Sequence, residues 1–312
     1  MKIIFLGTPN FAKIILQKLY NSKHEIVAVV CQPDKPVGRK QILEAPPTKV
    51  FALEHNIPVY QFAKIRKEGV EPLKKLNADI MITGAYGQIL SQEVLDITRF
   101  GTFNVHGSML PKYRGACPVQ SAILNGETKT GVTIMKTDAG IDTGDIIEQK
   151  EIKITQNDTV ESVLEKIALE GSDLLINSVL DKIENGTVEY IKQDESMATY
   201  YPMIKKEDAK IDFNRTSQSI KNLVRAYNEW PVAYTFVNDK MLKVFDCNAV
   251  EHTQETQYKN GEIVENTPKK GLVIKTGDGF IRLTIVQAEG GKIMDDKSFL
   301  NGNKIELGKV LE

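Results

Sequence analysis

Near the middle of the chain, an amide and an imidazole stand two residues apart, at Asn104 and His106. The surrounding residues predict a strand, so these two side chains leave the same face while Val105 points the other way into a core. A carboxylate, Asp142, follows in the glycine-rich stretch 138–145. An amide and an imidazole can stabilise a developing oxyanion, and a carboxylate can help to move protons. This set lacks a nucleophile and therefore suggests acyl transfer to an external one.

The acidic stretch also shares features with two other kinds of site. A calcium-binding loop of this type would end on a bidentate glutamate, where this chain has Gln149. An aspartic protease in one chain needs two triplets of the kind Asp142-Thr143-Gly144, and this chain has one. Taken alone, the stretch could still be a plain glycine-rich turn, and His106 could still be a structural histidine.

The composition of this 312-residue chain, with 41% hydrophobic and 26% charged residues, is that of an ordinary globular protein. A formal net charge of −1 excludes general basicity, so a nucleic-acid partner would need a local basic patch. No apolar run approaches the roughly twenty residues that span a bilayer. Cys31, Cys117 and Cys247 lack metal-ligand spacing, so we expect no metal site and a reducing, cytoplasmic location.

Apolar strands and helical stretches alternate through the first half of the chain, from strand 3–6 to strand 101–106. The alternation predicts an α/β fold, a Rossmann-like and mostly parallel sheet with helices on both faces. A later helix over 160–183 is expected to break near Gly171. Gly7-Thr8-Pro9 lacks the glycine pattern of nicotinamide-binding and ATP-binding loops, so neither of these nucleotides is expected as a cofactor.

The second part of the chain has a different pattern. A polar, irregular segment over 192–206 is predicted to link a first domain, 1–191, to a second domain, 207–312. In the second domain, short β-like runs separated by turn residues follow one amphipathic helix, which predicts a small OB-like β-barrel. The runs are 233–237, 242–247, 261–265, 271–275 and 280–286.

The connection from Gln32 to Pro47 is long for an α/β fold, in which roughly two to six residues join a strand to a helix. Lys35, Arg39 and Lys40 make it basic. It is either a solvated loop with scattered charge or a basic finger that contacts a phosphate backbone.

Together these motifs resemble the methionyl-tRNA formyltransferase family, whose members use 10-formyltetrahydrofolate, over nearly the whole chain. The strongest agreement lies in 104–111, 113–116 and 131–135. Further agreement lies in 3–11, in the insertion loop 32–39, and in 211–213 and 226–231.

The resemblance implies transfer of a formyl group from 10-formyltetrahydrofolate to the amino group of methionyl initiator tRNA. Asn104 and a protonated His106 would donate hydrogen bonds to the oxygen of the tetrahedral centre. The negative charge of Asp142 would favour the protonated imidazole, and its carboxylate would accept or relay the amine proton.

The binding residues are also implied by the resemblance. Ser108, Met109, Leu110 and Pro111 match the family's folate-contacting segment, although Met109 stands where leucine is usual, and the loop 137–142 would close over the pterin. Lys35, Arg39 and Lys40 would contact the tRNA from an insertion loop that is slightly short for the family, and the barrel would hold the rest of the tRNA arm. We expect a monomer.

Related folate-dependent enzymes formylate other amines, and the core motifs do not separate them. The main alternative is a formyltransferase that acts on an amino sugar linked to a nucleotide, because that enzyme keeps a similar barrel. A catalytically silent RNA-binding protein is a further alternative, against which the joint presence of Asn104, His106 and Asp142 argues.

Overall fold

The computed structural model describes residues 1–37, 41–252 and 257–311. The chain forms two compact units, each assembled from several segments. The first contains Met1–Pro118, Lys129–Lys153 and Val163–Tyr201, and the second contains Val119–Thr128, Ile154–Ser162 and Pro202–Glu312.

Short strands build the first unit; among those described, seven lie at the apolar runs that predict them, and the other four lie in segments predicted to be loop or linker. They are β1 (Lys2–Gly7), β2 (Glu25–Cys31), β3 (Lys35–Val37), β4 (Ile42–Glu44), β5 (Val59–Gln61), β6 (Ile80–Gly84), β7 (Thr102–His106), β8 (Arg114–Gly115), β9 (Lys129–Lys136), β10 (Ile146–Lys153) and β11 (Tyr200–Tyr201). The helices up to residue 184 are α1 (Asn10–Tyr20), α2 (Pro47–Glu54), α3 (Ile65–Glu68), α4 (Val70–Lys74), α5 (Gln92–Leu95), α6 (Pro118–Leu124), α7 (Val160–Leu174) and α8 (Leu180–Glu184).

Seven of these strands form one sheet in the order β10-β9-β7-β6-β1-β2-β5. The pairs from β5 to β7 are parallel, whereas β9 runs antiparallel to β7 and to β10. Ile3, Ile4, Phe5 and Leu6 of β1 have no exposed surface, as expected for a parallel strand covered on both faces. The predicted Rossmann-like, mostly parallel sheet is confirmed. Since the parallel strands point the same way, β6 and β7 end at one edge of the sheet.

The helix break expected at Gly171 does not occur. Gly171 lies inside α7, and the irregular turn is a π-helical segment, Leu175–Val179, between α7 and α8. A Cβ atom at Gly171 would lie 2.8 Å from the side chains of Val105 on β7 and Val132 on β9. The glycine therefore allows close packing of α7 on the sheet, directly behind the strand that carries Asn104 and His106.

The second unit contains an antiparallel sheet. Its strands are β12 (Ala233–Val237), β13 (Lys240–Val250), β14 (Ile263–Thr267), β15 (Gly271–Lys275), β16 (Phe280–Ala288) and β17 (Ile293–Asp295), and its later helices are α9 (Ser217–Ala226) and α10 (Asp296–Gly302). The strand order is β12-β13-β16-β15-β14, with β17 paired to β16. The predicted second domain of short antiparallel strands is confirmed, and β17 and α10 are additions that the sequence pattern did not indicate.

Alternating burial builds the core of the second unit. Ala233, Thr235 and Val237 of β12 are buried while the residues between them are partly exposed, the period-two pattern of a strand with one covered face. The edge of β14 is covered by the end of the chain, because the amide of Ile263 donates a hydrogen bond of 2.8 Å to the carbonyl of Lys309. A covered edge cannot pair with another chain.

Candidate active site

The strand β7 brings Asn104 and His106 to one face, as the two-residue spacing predicts. Asn104 pairs with Thr83 of β6 on one side and with Met135 of β9 on the other. It is the one residue of this strand that is not buried. Within the described part of the chain, no hydrogen bond engages the side-chain amide of Asn104. Its NH₂ group is therefore free to donate to a bound molecule.

Both ring nitrogens of His106 face oxygen atoms. Nε2 lies 3.1 Å from the carbonyl oxygen of Tyr113, and Nδ1 lies 3.6 Å from Oδ1 of Asp142. The first distance is that of a hydrogen bond, in which Nε2 must donate because a carbonyl only accepts. The second is an ion-pair distance that is too long for a hydrogen bond. With Nε2 bound to the backbone, Nδ1 is the ring nitrogen that remains for a reacting group.

Asp142 is held from two sides in the loop between β9 and β10. Its Oδ2 accepts a hydrogen bond of 2.8 Å from the amide of Gly115, and its carbonyl accepts one of 2.8 Å from Nε2 of Gln193. Its φ of 54° lies in the left-handed region, which aspartate enters more readily than most residues with a side chain. The surrounding hydrogen bonds therefore stabilise the conformation that turns Oδ1 toward His106.

The predicted folate segment, 108–111, follows β7 and is tied to the neighbouring strands through Thr133. The Thr133 hydroxyl donates to the carbonyl of Ser108 (2.6 Å) and accepts from the amide of Leu110 (3.1 Å). Nε2 of Gln149 donates to the carbonyl of Leu110 (2.9 Å) and to the Thr133 hydroxyl (2.8 Å). The network leaves every one of these buried groups with a partner.

The hydrogen bonds of Thr133 and Gln149 determine which residues of the segment 108–111 remain exposed to a ligand. Ser108 and Leu110 are buried, and the Ser108 hydroxyl donates to the carbonyl of Lys112 at 2.7 Å. Met109 and Pro111 are partly exposed. A Cβ atom at Gly131 would overlap the Met109 side chain, so this glycine permits the close packing of Met109 on β9.

The described strands of the insertion loop, β3 and β4, pair antiparallel. Its base is fixed by Asp34, whose carboxylate accepts hydrogen bonds from Lys49 (2.8 Å) and from Gln61 (2.8 Å). The hydrogen bond from Lys49 holds the pKa of Asp34 below its usual value. Lys35 is exposed, whereas the other two predicted tRNA contacts, Arg39 and Lys40, lie outside the described residues.

Two residues near the site were not singled out as functional from the sequence. Gln193 lies in the segment predicted to be a linker, and Arg114 lies in the loop after Pro111. Arg114 is buried and donates to Gln193 (2.8 Å) and, through two nitrogens, to Glu195 (2.8 and 2.9 Å). The Glu195 carboxylate raises the pKa of Arg114 above its ordinary value. No period or spacing in a polar segment indicates such contacts, which only the folded chain creates.

In residues 1–37, 41–252 and 257–311, no three His, Cys, Asp or Glu side chains are placed to hold a metal ion. Over the same ranges, no helix combines the length and apolarity needed to cross a membrane. The three cysteines are buried and form no disulfide among the described residues, and burial raises the pKa of the Cys31 thiol to about 11.

The fold and this site define a formyl transferase. The family described as formyl transferase matches residues 1–179, and its C-terminal domain matches residues 203–304. The methionyl-tRNA formyltransferase of Sulfurihydrogenibium sp. is 44% identical over 314 residues, covering 100% of both chains. That of Ruminiclostridium cellulolyticum is 43% identical over 312 residues, covering 100% of this chain and 99% of the relative. The chain belongs to the methionyl-tRNA formyltransferase family.

A solved structure with bound folate gives a further comparison. The N-formyltransferase from Helicobacter canadensis, in complex with folinic acid and dTDP-3-aminofucose, is 26% identical to this chain with a TM-score of 0.65. The match covers 90% of this chain and 98% of that one. The fold is thus shared with a protein solved with a nucleotide-linked amino sugar, at lower identity than the relatives named methionyl-tRNA formyltransferase.

Proposed function

We propose that this protein transfers the formyl group of 10-formyltetrahydrofolate to the amino group of methionyl initiator tRNA. The observation that carries the proposal is the placement of Asp142 beside His106, which shares one face of β7 with Asn104, in a chain more than 40% identical to methionyl-tRNA formyltransferases along its whole length. The geometry of the site supports formyl transfer, and the names of the relatives support methionyl-tRNA as the acceptor.

The reaction needs an oxyanion site. Attack of the methionyl amine on the formyl carbon forms a new C–N bond and leaves negative charge on the formyl oxygen. The Asn104 amide and the protonated Nδ1 of His106 would donate hydrogen bonds to that oxygen, since Nε2 of His106 is already bound to Tyr113. Donors fixed by a sheet need no reorganisation as the charge develops.

The reaction also moves one proton. The attacking amine must lose it, and N10 of the folate must gain it when the C–N10 bond breaks. Asp142 lies beside His106 and is partly exposed, so its carboxylate would accept the amine proton directly or through water and return it to N10. The proton that the amine loses then reaches N10 through Asp142, and no other residue is needed.

Binding would use the flanking segments. The segment of Ser108, Met109, Leu110 and Pro111 would contact the folate, chiefly through its partly exposed members Met109 and Pro111, and the loop 137–142 would close over the pterin. Lys35, Arg39 and Lys40 would contact phosphates near the acceptor end of the tRNA. We further propose a catalytic domain over 1–191, a linker over 192–206, a tRNA-binding barrel over 207–312, a monomeric state and a cytoplasmic location.

The deciding experiment incubates the full-length protein with 10-formyltetrahydrofolate and one of two acceptors. The first is initiator tRNA charged with methionine, and the second is a dTDP-linked amino sugar. We expect formylation of the methionyl-tRNA, detected by acid-gel mobility or mass spectrometry, and none of the sugar. Formylation of the sugar alone would overturn the assignment, as would the absence of transfer to either acceptor.

A further inference from the structure

Gln193 connects the loop of Asp142 to a buried arginine. Its Nε2 donates hydrogen bonds to two carbonyls of that loop, those of Asp142 (2.8 Å) and Gly144 (2.7 Å). Its Oε1 accepts from Nε (3.0 Å) and Nη2 (2.8 Å) of Arg114. One amide side chain therefore uses all of its hydrogen-bonding groups to join the two.

The orientation of the Gln193 amide is fixed by this arrangement. Arginine carries only donors, so Oε1 must face Arg114 and the NH₂ group must face the loop. Arg114 is itself anchored, because its amide donates to the carbonyl of Thr199 (2.8 Å) and its guanidinium binds Glu195. An amide rotated by half a turn would place two donors against Arg114 and an oxygen against two carbonyls.

The loop needs such a support. Asp142 has a φ of 54°, a left-handed conformation that is uncommon for non-glycine residues, although aspartate adopts it more often than most. The Gly115 amide holds the carboxylate, and Gln193 holds the backbone carbonyl of the same residue. Loss of the carbonyl contact would let the backbone relax and carry Oδ1 away from Nδ1 of His106.

We propose that Gln193 is a positioning residue, which acts on formyl transfer by holding Asp142 in the conformation that faces His106. This inference rests on the function proposed above. Gln193 lies in the segment after α8 and touches no reacting atom, so its effect should appear in the rate of the chemical step rather than in substrate binding.

Two variants of the full-length protein test the inference, with transfer to methionyl-tRNA as the assay. Gln193→Ala removes the hydrogen bonds to Arg114 and those to the carbonyls of Asp142 and Gly144. Gln193→Glu keeps the size and the acceptors for Arg114 but replaces the NH₂ donor with an oxygen that repels the two carbonyls. We expect either variant to lower kcat at least about tenfold with KM values for tRNA and folate changed less than about twofold, since a small misplacement costs mainly the reactive geometry.

A double-mutant cycle separates positioning from general damage. In an Asp142→Asn background, the added Gln193→Glu change should lower single-turnover rates less than about twofold, because residues that act through one group are not additive. Gln92→Ala serves as the control, since Gln92 is exposed and, among the described residues, its side chain bonds only to Asp96. It should keep the wild-type kcat.

The outcomes are distinct. Wild-type kcat in Gln193→Glu, or equal losses from Gln193→Glu in both backgrounds, would overturn the positioning role while leaving the proposed function intact. Absence of formyl transfer by the wild-type protein would overturn the proposed function and this inference together. A melting temperature of Gln193→Glu close to that of the wild type is expected, because the contacts of Arg114 are retained.

Discussion

The amide of Gly115 donates a hydrogen bond of 2.8 Å to Oδ2 of Asp142, which leaves the other carboxylate oxygen turned toward His106, with 3.6 Å between Oδ1 and Nδ1. Gly115 belongs to β8, which pairs with β11 at Tyr200 and Tyr201. A carboxylate from one loop and an imidazole from β7 are thus brought together by a short two-stranded sheet. The placement of charge at the site depends on chain segments far apart in sequence.

The role of His106 predicts the effect of removing its imidazole. His106→Ala should lower formyl transfer to methionyl-tRNA at least about a hundredfold, the lower part of the range for a positioned acid–base group. The measurement is kcat/KM, with circular dichroism to show that the fold persists. His55→Ala is the control: His55 stacks on Phe51 with ring centroids 4.0 Å apart and lies outside the site, so this change should affect stability and spare turnover. Near-wild-type turnover of His106→Ala would contradict the assignment.

The support of the folate segment predicts a contrast between two threonines of β9. Thr133→Val removes the hydroxyl that serves Ser108, Leu110 and Gln149, and each buried polar group left unpaired should cost about 1–3 kcal/mol. We expect a lower free energy of unfolding and a raised KM for 10-formyltetrahydrofolate.

The same substitution at the other threonine is the control. The Thr130 hydroxyl is buried and has no hydrogen-bond partner among the described residues, so Thr130→Val should be neutral or stabilising. Equal effects of the two valine variants in urea denaturation and folate kinetics would refute the importance of the Thr133 network.

The proposed tRNA contact predicts an effect confined to one substrate. Arg39→Ala should raise KM for methionyl-tRNA and leave KM for the folate unchanged. It should also reduce the slope of log affinity against log salt by about one, the effect of losing one phosphate contact. Arg66→Ala, on the exposed surface of α3, is the matched control and should change neither quantity. A change seen only with the folate would exclude this role of the loop.

The burial of His24 predicts how stability depends on pH. Burial, reinforced by the N-terminal ammonium and Lys23, lowers the pKa of His24, while Glu184 and Asp181 oppose the shift. The unfolded chain therefore binds a proton more readily than the folded chain does, so stability falls as pH drops through the unfolded value of about 6.5 toward the folded one.

Urea denaturation between about pH 7.5 and about pH 5.5 measures this dependence. The wild type should lose stability over that range, and His24→Gln should lose less because the linked proton is gone. Identical pH dependence of the two proteins would contradict the prediction.

Much of the fold could be predicted because local patterns specify it. The apolar run of β1 matches a strand buried on both faces, and the two-residue spacing of Asn104 and His106 matches one face of β7. A prediction was wrong where a residue that often marks a local break serves tertiary packing instead. Gly171 indicated a break in a helix, whereas the structure uses its missing side chain for packing against Val105 and Val132.

Periodicity and short runs of residues are enough to predict the α/β order, the strand that bears the amide and the imidazole, and the family resemblance. Folding adds the hydrogen bond that occupies Nε2 of His106, the turn of Asp142 toward Nδ1, and the connection from Arg114 through Gln193 to the loop of Asp142. These contacts join segments that no local pattern relates. Hydrogen-bond geometry between such segments exists only once the backbone has brought them together.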